Sequence, residues 1–150
     1  MKIDRQLPTA FARLGNHEEY DWTPLPWDGI FNKVLYCDGV TGATIELAKI
    51  EKGAEFPAHY HPSVQTLFLV KGHLKSGDQE ITEGTFNVIP AGELHGPFFA
   101  LEDSIQFKYF SASPVYLLQD GNSVFYKEDG NTLTSEAMKS GGLQKENYLK

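Results

Sequence analysis

The chain has 150 residues, a mass of 16.8 kDa and a single cysteine, and 13 Lys+Arg against 20 Asp+Glu leave a net charge of −7 with a pI near 5.1. That length supports one hydrophobic core rather than two, and ordinary contents of 41% hydrophobic and 22% charged residues exclude a chain disordered throughout. The negative charge repels phosphate backbones, so neither nucleic acid nor an anionic membrane is an expected partner. No apolar run reaches the roughly 18 residues of a membrane helix, and Met1-Lys2-Ile3-Asp4-Arg5 opens no signal-like stretch. Cys37 has no second cysteine to pair with, which fits a cytoplasmic protein.

In chain order, residues 1–30 carry Pro8, Pro24 and Pro26 with Trp22 and Trp27, and read either as an N-terminal arm wrapping the domain or as a partly ordered terminus. Over residues 31–127 apolar residues come in short bursts, each closed by a turn signal. The bursts cover 31–36, 43–50, 66–70, 74–75, 85–89, 105–110 and 115–118, and end on pairs such as Asp38-Gly39, Lys71-Gly72 and Asp120-Gly121. Short strands at this spacing, with almost no helical periodicity, predict an all-β sandwich or barrel. Ile45-Glu46-Leu47-Ala48-Lys49-Ile50 and Ile105-Gln106-Phe107-Lys108-Tyr109 alternate as half-buried strands do. Residues 128–150 are expected to hold a short helix over 132–139, stopped by Gly141-Gly142, and then a polar tail.

The chemistry rests on histidine. Of His17, His59, His61, His73 and His95, the pair His59-Tyr60-His61 opens a predicted strand, where side chains two apart share a face. Two imidazoles on the inner face of a barrel are costly unless a divalent metal binds them. Taken alone, the same spacing more often marks two ordinary surface or hydrogen-bonded histidines. The surrounding pattern is Gly53-x5-His59-x-His61-x3-Gln65-x6-Gly72, followed by Gly84-x5-Pro90-x-Gly92-x2-His95. It resembles, in order, the two sequence motifs of the cupin superfamily, the RmlC-like jelly rolls.

That resemblance implies a single-domain cupin β-barrel, a double-stranded β-helix, over residues 31–127. It also implies that His59, His61 and His95 ligate one divalent ion. Imidazole ligands suit Fe, Zn, Ni, Mn or Cu. Two positions depart from the motif: Gln65 stands where the family has glutamate, and Phe99 where it has asparagine. Gln65 keeps the strand parity of the histidines and is read as a weak ligand, a neighbour of the ligands, or a backbone hydrogen-bonding residue. Without a carboxylate the ion keeps its full +2 charge, which favours an anionic oxygen ligand such as an enolate.

Within the superfamily, His95-Gly96-Pro97-Phe98-Phe99 and the aromatic strand around Phe107-Lys108-Tyr109-Phe110 are most similar to the three-histidine dioxygenases that cleave acetylacetone or dihydroxyacetophenones. This implies an Fe(II) centre acting on a small carbonyl substrate with O2. Leu67, Leu69, Phe99, Phe107 and Tyr109 are expected to line an apolar pocket, although core filling explains each one singly. Leu67 also differs from the tyrosine base found at this position in some dimethylsulfoniopropionate lyases of the superfamily. His73, His17, Glu55 and Glu93 are expected to be bystanders, and Cys37 a buried structural thiol. A metal- or ligand-sensing cupin of the anti-sigma type and a redox-neutral lyase or isomerase are the alternatives. Cupins commonly pair, so a homodimer is also implied.

Overall fold

The strand at Thr44–Ile50 shows how the sequence builds the fold: its residues alternate strictly between buried and half-buried, with Thr44, Glu46, Ala48 and Ile50 inside. The structure is a computed structural model that describes residues 15–121, 123–126 and 133–134. After a 3-10 turn at His17–Glu19, capped by the Asn16 side chain, the strands are β1 (Thr23–Pro24), β2 (Ile30–Cys37), β3 (Thr44–Ile50), β4 (Glu55–Phe56) and β5 (His59–Tyr60). They continue with β6 (Gln65–Lys71), β7 (His73–Ser76), β8 (Gln79–Thr82), β9 (Phe86–Ile89), β10 (Phe98–Ala100), β11 (Ser104–Phe110), β12 (Val115–Leu118), β13 (Ser123–Tyr126) and β14 (Leu133–Thr134).

A six-stranded sheet in the order β1-β2-β3-β11-β6-β9 faces two four-stranded sheets, β4-β10-β7-β8 and β14-β13-β12-β5. All named pairings are antiparallel, and β11 is the central strand, in register with β3 (Phe107↔Leu47) and β6 (Phe107↔Phe68). The core lies between the sheets. The large sheet contributes Ile30, Ile50, Leu69 and Phe110; β4, β7 and β10 contribute Phe56, Leu74, Phe98 and Ala100; β12 contributes Tyr116. Each large apolar side chain fully buried here is worth about 1.5–3 kcal/mol. Ahead of β2, Leu25 joins this core, and Trp27 packs on Phe56 with ring centroids 5.0 Å apart.

The seven apolar bursts correspond to β2, β3, β6, β7, β9, β11 and β12, displaced by one residue at most ends. Other described strands lie outside those bursts: β1 and β4 are two residues each, β10 is three, β8, Gln-Glu-Ile-Thr, is almost wholly exposed and so carries no apolar period, and β13 follows the Asp120-Gly121 turn. β5 opens at His59, where the sequence predicts a strand. The expected helix over 132–139 is corrected at its start: Leu133–Thr134 is a strand paired with β13, Phe125↔Thr134. A lone two-turn helix is marginal in water, whereas a sheet edge offers backbone partners at once. Residues 135–139 lie outside the described residues.

Candidate metal centre

β5 and the turn before β10 bring the three motif histidines together through the backbone. His59 and His95 exchange both main-chain hydrogen bonds, N–H to O at 3.0 and 2.9 Å, and Gly92 N–H donates to His61 O at 2.7 Å. Gly92 takes φ +78°, the left-handed region that glycine enters without penalty, which lets the Pro90-Ala91-Gly92 turn close on β5. At the far end of β6, Gly72 has φ +101°, and a Cβ there would fall within 2.6 Å of Ser104 Cα. The β6–β7 turn can therefore approach β11 only with glycine.

His59 and His61 are buried, Tyr60 between them is half-buried, and His95 sits at the rim. One ligand atom from each of the three histidines lies within 4.8 Å of the other two. Each Nδ1 faces a backbone carbonyl: Pro57 O at 2.7 Å for His59, Val115 O at 2.7 Å for His61 and Glu93 O at 3.0 Å for His95. A carbonyl only accepts, so each Nδ1 carries the proton and each Nε2 keeps its lone pair free. His61 Nε2 and His95 Nε2 are buried with no hydrogen-bond partner. Two orphaned lone pairs in a dry site are the donor set a divalent cation satisfies, so these residues fit a bound metal.

The electrostatics favour the same state. Burial is the main influence holding the His59 and His61 imidazoles well below the ordinary histidine pKa, and it lowers that of His95 as well. The neighbouring imidazoles lower His59 and His61 further. All three are thus neutral, ligand-ready bases near pH 7.

Gln65 is buried on the same side as the histidines, and its Oε1 has no hydrogen-bond partner. Together with Leu67, His59, His95, Phe56, Phe98, Gln106 and Lys108 it lines a cavity of about 10 Å³, room for a single water-sized atom. Leu67 therefore lines the site, whereas Leu69, also buried, belongs to the apolar core. The other three expected lining residues are corrected: Phe99, Phe107 and Tyr109 are exposed by 41%, 38% and 40% and point away from the barrel interior. On β11 the buried residues are Ser104, Gln106, Lys108 and Phe110, so the polar series faces inward and the aromatic series outward.

That inversion reveals a buried polar network that hydrophobic patterning missed. Lys108 Nζ lies 3.6 Å from Glu46 Oε1, which also accepts from Tyr116 OH at 3.0 Å and Asn32 Nδ2 at 3.1 Å. Tyr116 packs edge-on against His61 and His59, with ring centroids 4.9 and 5.3 Å away. Burial lowers the Lys108 pKa and Glu46 raises it; burial and Glu46 together push the Tyr116 hydroxyl well above its ordinary value. The one sequence signal for this arrangement was Phe110, which shares parity with Gln106 and Lys108 and marks their face as the core face.

The bystanders fall as expected, with one exception. His73 bonds Glu80 at 2.9 Å on the surface, and Glu55 and Glu93 are exposed. Cys37 is half-buried rather than buried, because β2 ends there at the Asp38 turn.

A β-barrel that gathers three histidines from two strand-and-turn motifs defines a cupin with a candidate metal site. The sequence matches the family model of the ChrR cupin-like domain over residues 12–112, and the chain belongs to that family. Among solved structures it is similar to an acetylacetone dioxygenase from Acinetobacter johnsonii, with a TM-score of 0.60 and 20% identity over 91% of each chain. It is also similar to the polyketide cyclase RemF from Streptomyces resistomycificus, with a TM-score of 0.58 and 16% identity over 79% of this chain and 89% of that one. A third likeness is to a chain of the Rhodobacter sphaeroides complex of SigE with the anti-sigma ChrR, with a TM-score of 0.54 and 20% identity over 63% of this chain and 51% of that one. At these identities the likeness establishes the fold. None of the curated proteins matches the chain. No described helix is long and apolar enough to cross a membrane.

Proposed function

We propose that this cupin is a non-haem Fe(II) dioxygenase that cleaves a carbon–carbon bond in a small β-dicarbonyl or hydroxyketone, using O2, in the cytoplasm. The observation that carries the reading is the convergence of three neutral imidazoles with no carboxylate among them. When bound, Fe(II) supplies Lewis-acid polarisation of the substrate oxygens and one-electron chemistry toward O2. The protein's part is positional and electrostatic. The carbonyls of Pro57, Val115 and Glu93 fix the tautomer and orientation of the three rings. Neutral ligands leave the site with its full positive charge, which favours the enolate form of a dicarbonyl and removes the need for a dedicated base. Phe56, Leu67 and Phe98 shield the centre from water.

Oxygen-electrode measurements on Fe(II)-loaded protein with a panel of β-diketones and hydroxyketones test this reading. Uptake with at least one compound is expected, and none with any compound overturns it. His59→Ala is expected to lose about one equivalent of metal by elemental analysis while keeping the β-rich circular dichroism of the parent.

Two observations favour a second reading, a metal- or ligand-sensing domain. They are the match to the ChrR cupin-like family and the small size of the cavity beside the triad. Ligand-induced stabilisation without turnover supports it, and turnover under strictly anaerobic conditions instead supports a redox-neutral lyase or isomerase.

The proposal extends to a homodimer. Phe68, Val70, Phe86, Val88, Phe107 and Tyr109 are exposed together on the outer face of β6, β9 and β11. An apolar stripe of this kind on a chain of charge −7 is a face where two copies meet without charge repulsion. Light scattering is expected to give twice the chain mass, and Phe86→Lys with Phe68→Lys to give monomer.

A further inference from the structure

The cavity beside the triad has room for one water-sized atom, enough for an ion alone, so a substrate must gain its space from a wall that moves. Behind one wall lies a larger space. An outer cleft of about 370 Å³ is lined by Trp27, Glu55, Pro57, Ala58 and Pro97, together with the end of β12 and the turn after it. A single thickness of chain separates the two spaces. Along residues 55–59, Glu55, Pro57 and Ala58 line the cleft while Phe56 and His59 line the inner cavity; Pro97 and Phe98 divide in the same way. Trp27 packs on Phe56 with ring centroids 5.0 Å apart, and Phe56 on His59 at 4.7 Å. A line of rings therefore runs from the cleft to a metal ligand.

This partition is lightly held. β4 is only Glu55–Phe56, lies at the edge of its sheet and pairs with β10 on one side. Pro57 follows it without an N–H, so the ladder gains no donor there. A space of roughly 150 Å³ holds a benzene ring. The cleft thus accommodates the Phe56 ring swung outward with a small guest beside it. Its charge is one-sided, because Glu55 and Asp120 are the ionisable residues of the described lining and none is basic. Carboxylates are repelled there, whereas an uncharged molecule passes. We propose that this cleft is the entry chamber for an uncharged small carbonyl compound, and that the Trp27–Phe56 pair is the gate that admits it to the metal centre. The gate rests on the metal reading of the triad and supplies the room that the proposed substrate needs.

Full-length Co(II)-loaded protein tests the gate, with stopped-flow visible absorption reporting the association rate of imidazole, which is uncharged at about pH 8.5. Phe56→Leu keeps an apolar side chain but thins the partition, and is expected to speed association about tenfold. Gln119→Trp, at an exposed position of the lining, plugs the cleft and is expected to slow it about fivefold. Azide is the anionic probe: Glu55→Gln is expected to speed its association about twofold at low salt and to leave imidazole unchanged. Chelator competition checks that each variant keeps the parent's Co(II) affinity. An imidazole rate indistinguishable from the parent's in either Phe56→Leu or Gln119→Trp overturns the gate and assigns entry to the rim at His95. An azide rate unmoved by Glu55→Gln overturns the selection by charge. Failure of the parent to hold Co(II) overturns the metal reading and the gate with it. Gate-dependent imidazole association without oxygen uptake for any dicarbonyl overturns only the dioxygenase reading.

Discussion

β6 and β11 lie side by side in the same sheet, yet patterning describes one correctly and the other in reverse. On β6 the inward residues are Gln65, Leu67 and Leu69, and the outward ones include Phe68 and Val70. On β11 the inward residues are Gln106 and Lys108, and the outward ones are Phe107 and Tyr109. The rule that apolar residues face the core holds for Leu67 and Leu69 of β6 and fails for Gln106 and Lys108 of β11, although both strands line the site. A buried lysine and glutamine are expensive, and their retention marks the stretch of barrel wall where chemistry takes precedence over packing.

That contrast can be broken experimentally. The largest effect is expected from Lys108→Met alone, which removes the ammonium beside the buried Glu46 carboxylate and costs about 3–5 kcal/mol by urea unfolding. Glu46→Gln added to it is expected to recover a large part of that loss. Next is Leu69→Ala on β6, which opens a cavity in the apolar core and costs about 3 kcal/mol.

Acidification comes third. His59 and His61 have folded pKa values depressed below the unfolded one, so the stability their neutral forms contribute is present above about pH 6.5 and lost as pH falls through that value toward the folded pKa. In this window the metal-free protein is expected to lose about 1.4 kcal/mol per pH unit for each of the two imidazoles, read as a falling Tm. Metal loading adds protection that is lost over the same range, because protons and the ion compete for the same nitrogens. The smallest effect is expected from Phe107→Thr, within about 1 kcal/mol, since it removes only outward apolar surface and keeps strand propensity. A loss comparable to Leu69→Ala would show that the outer face of β11 is buried against a second copy in solution.

Much of this was legible in the residues. The turn signals located the longer strands, and the spacing from Gly53 to His95 picked out all three histidines that the structure gathers. Parity alone placed His59, His61, Gln65 and Leu67 on one face. What escaped depended on register between distant strands. Glu46 and Lys108 are 62 positions apart and meet because β3 and β11 pair Glu46 with Lys108. Tyr116 reaches the same carboxylate from another sheet, 70 positions from Glu46. No local pattern encodes those encounters, and Phe107 and Tyr109 drew attention inward because aromatic residues usually belong there. The strand at Leu133–Thr134 was hidden for a similar reason, since its hydrogen-bonding partner, not its own propensity, decides its conformation.

The paired main-chain bonds between residues 59 and 95, with the Gly92 tie to residue 61, fasten the two halves of the metal cradle to each other. Chelation should therefore empty a receptacle that keeps its shape, and refilling should run at the pace of cation delivery instead of chain rearrangement. In a cell, the occupant of such a rigid, unselective socket would be decided by which cations are on hand, so expression under different metal supplies becomes part of assigning what the protein does.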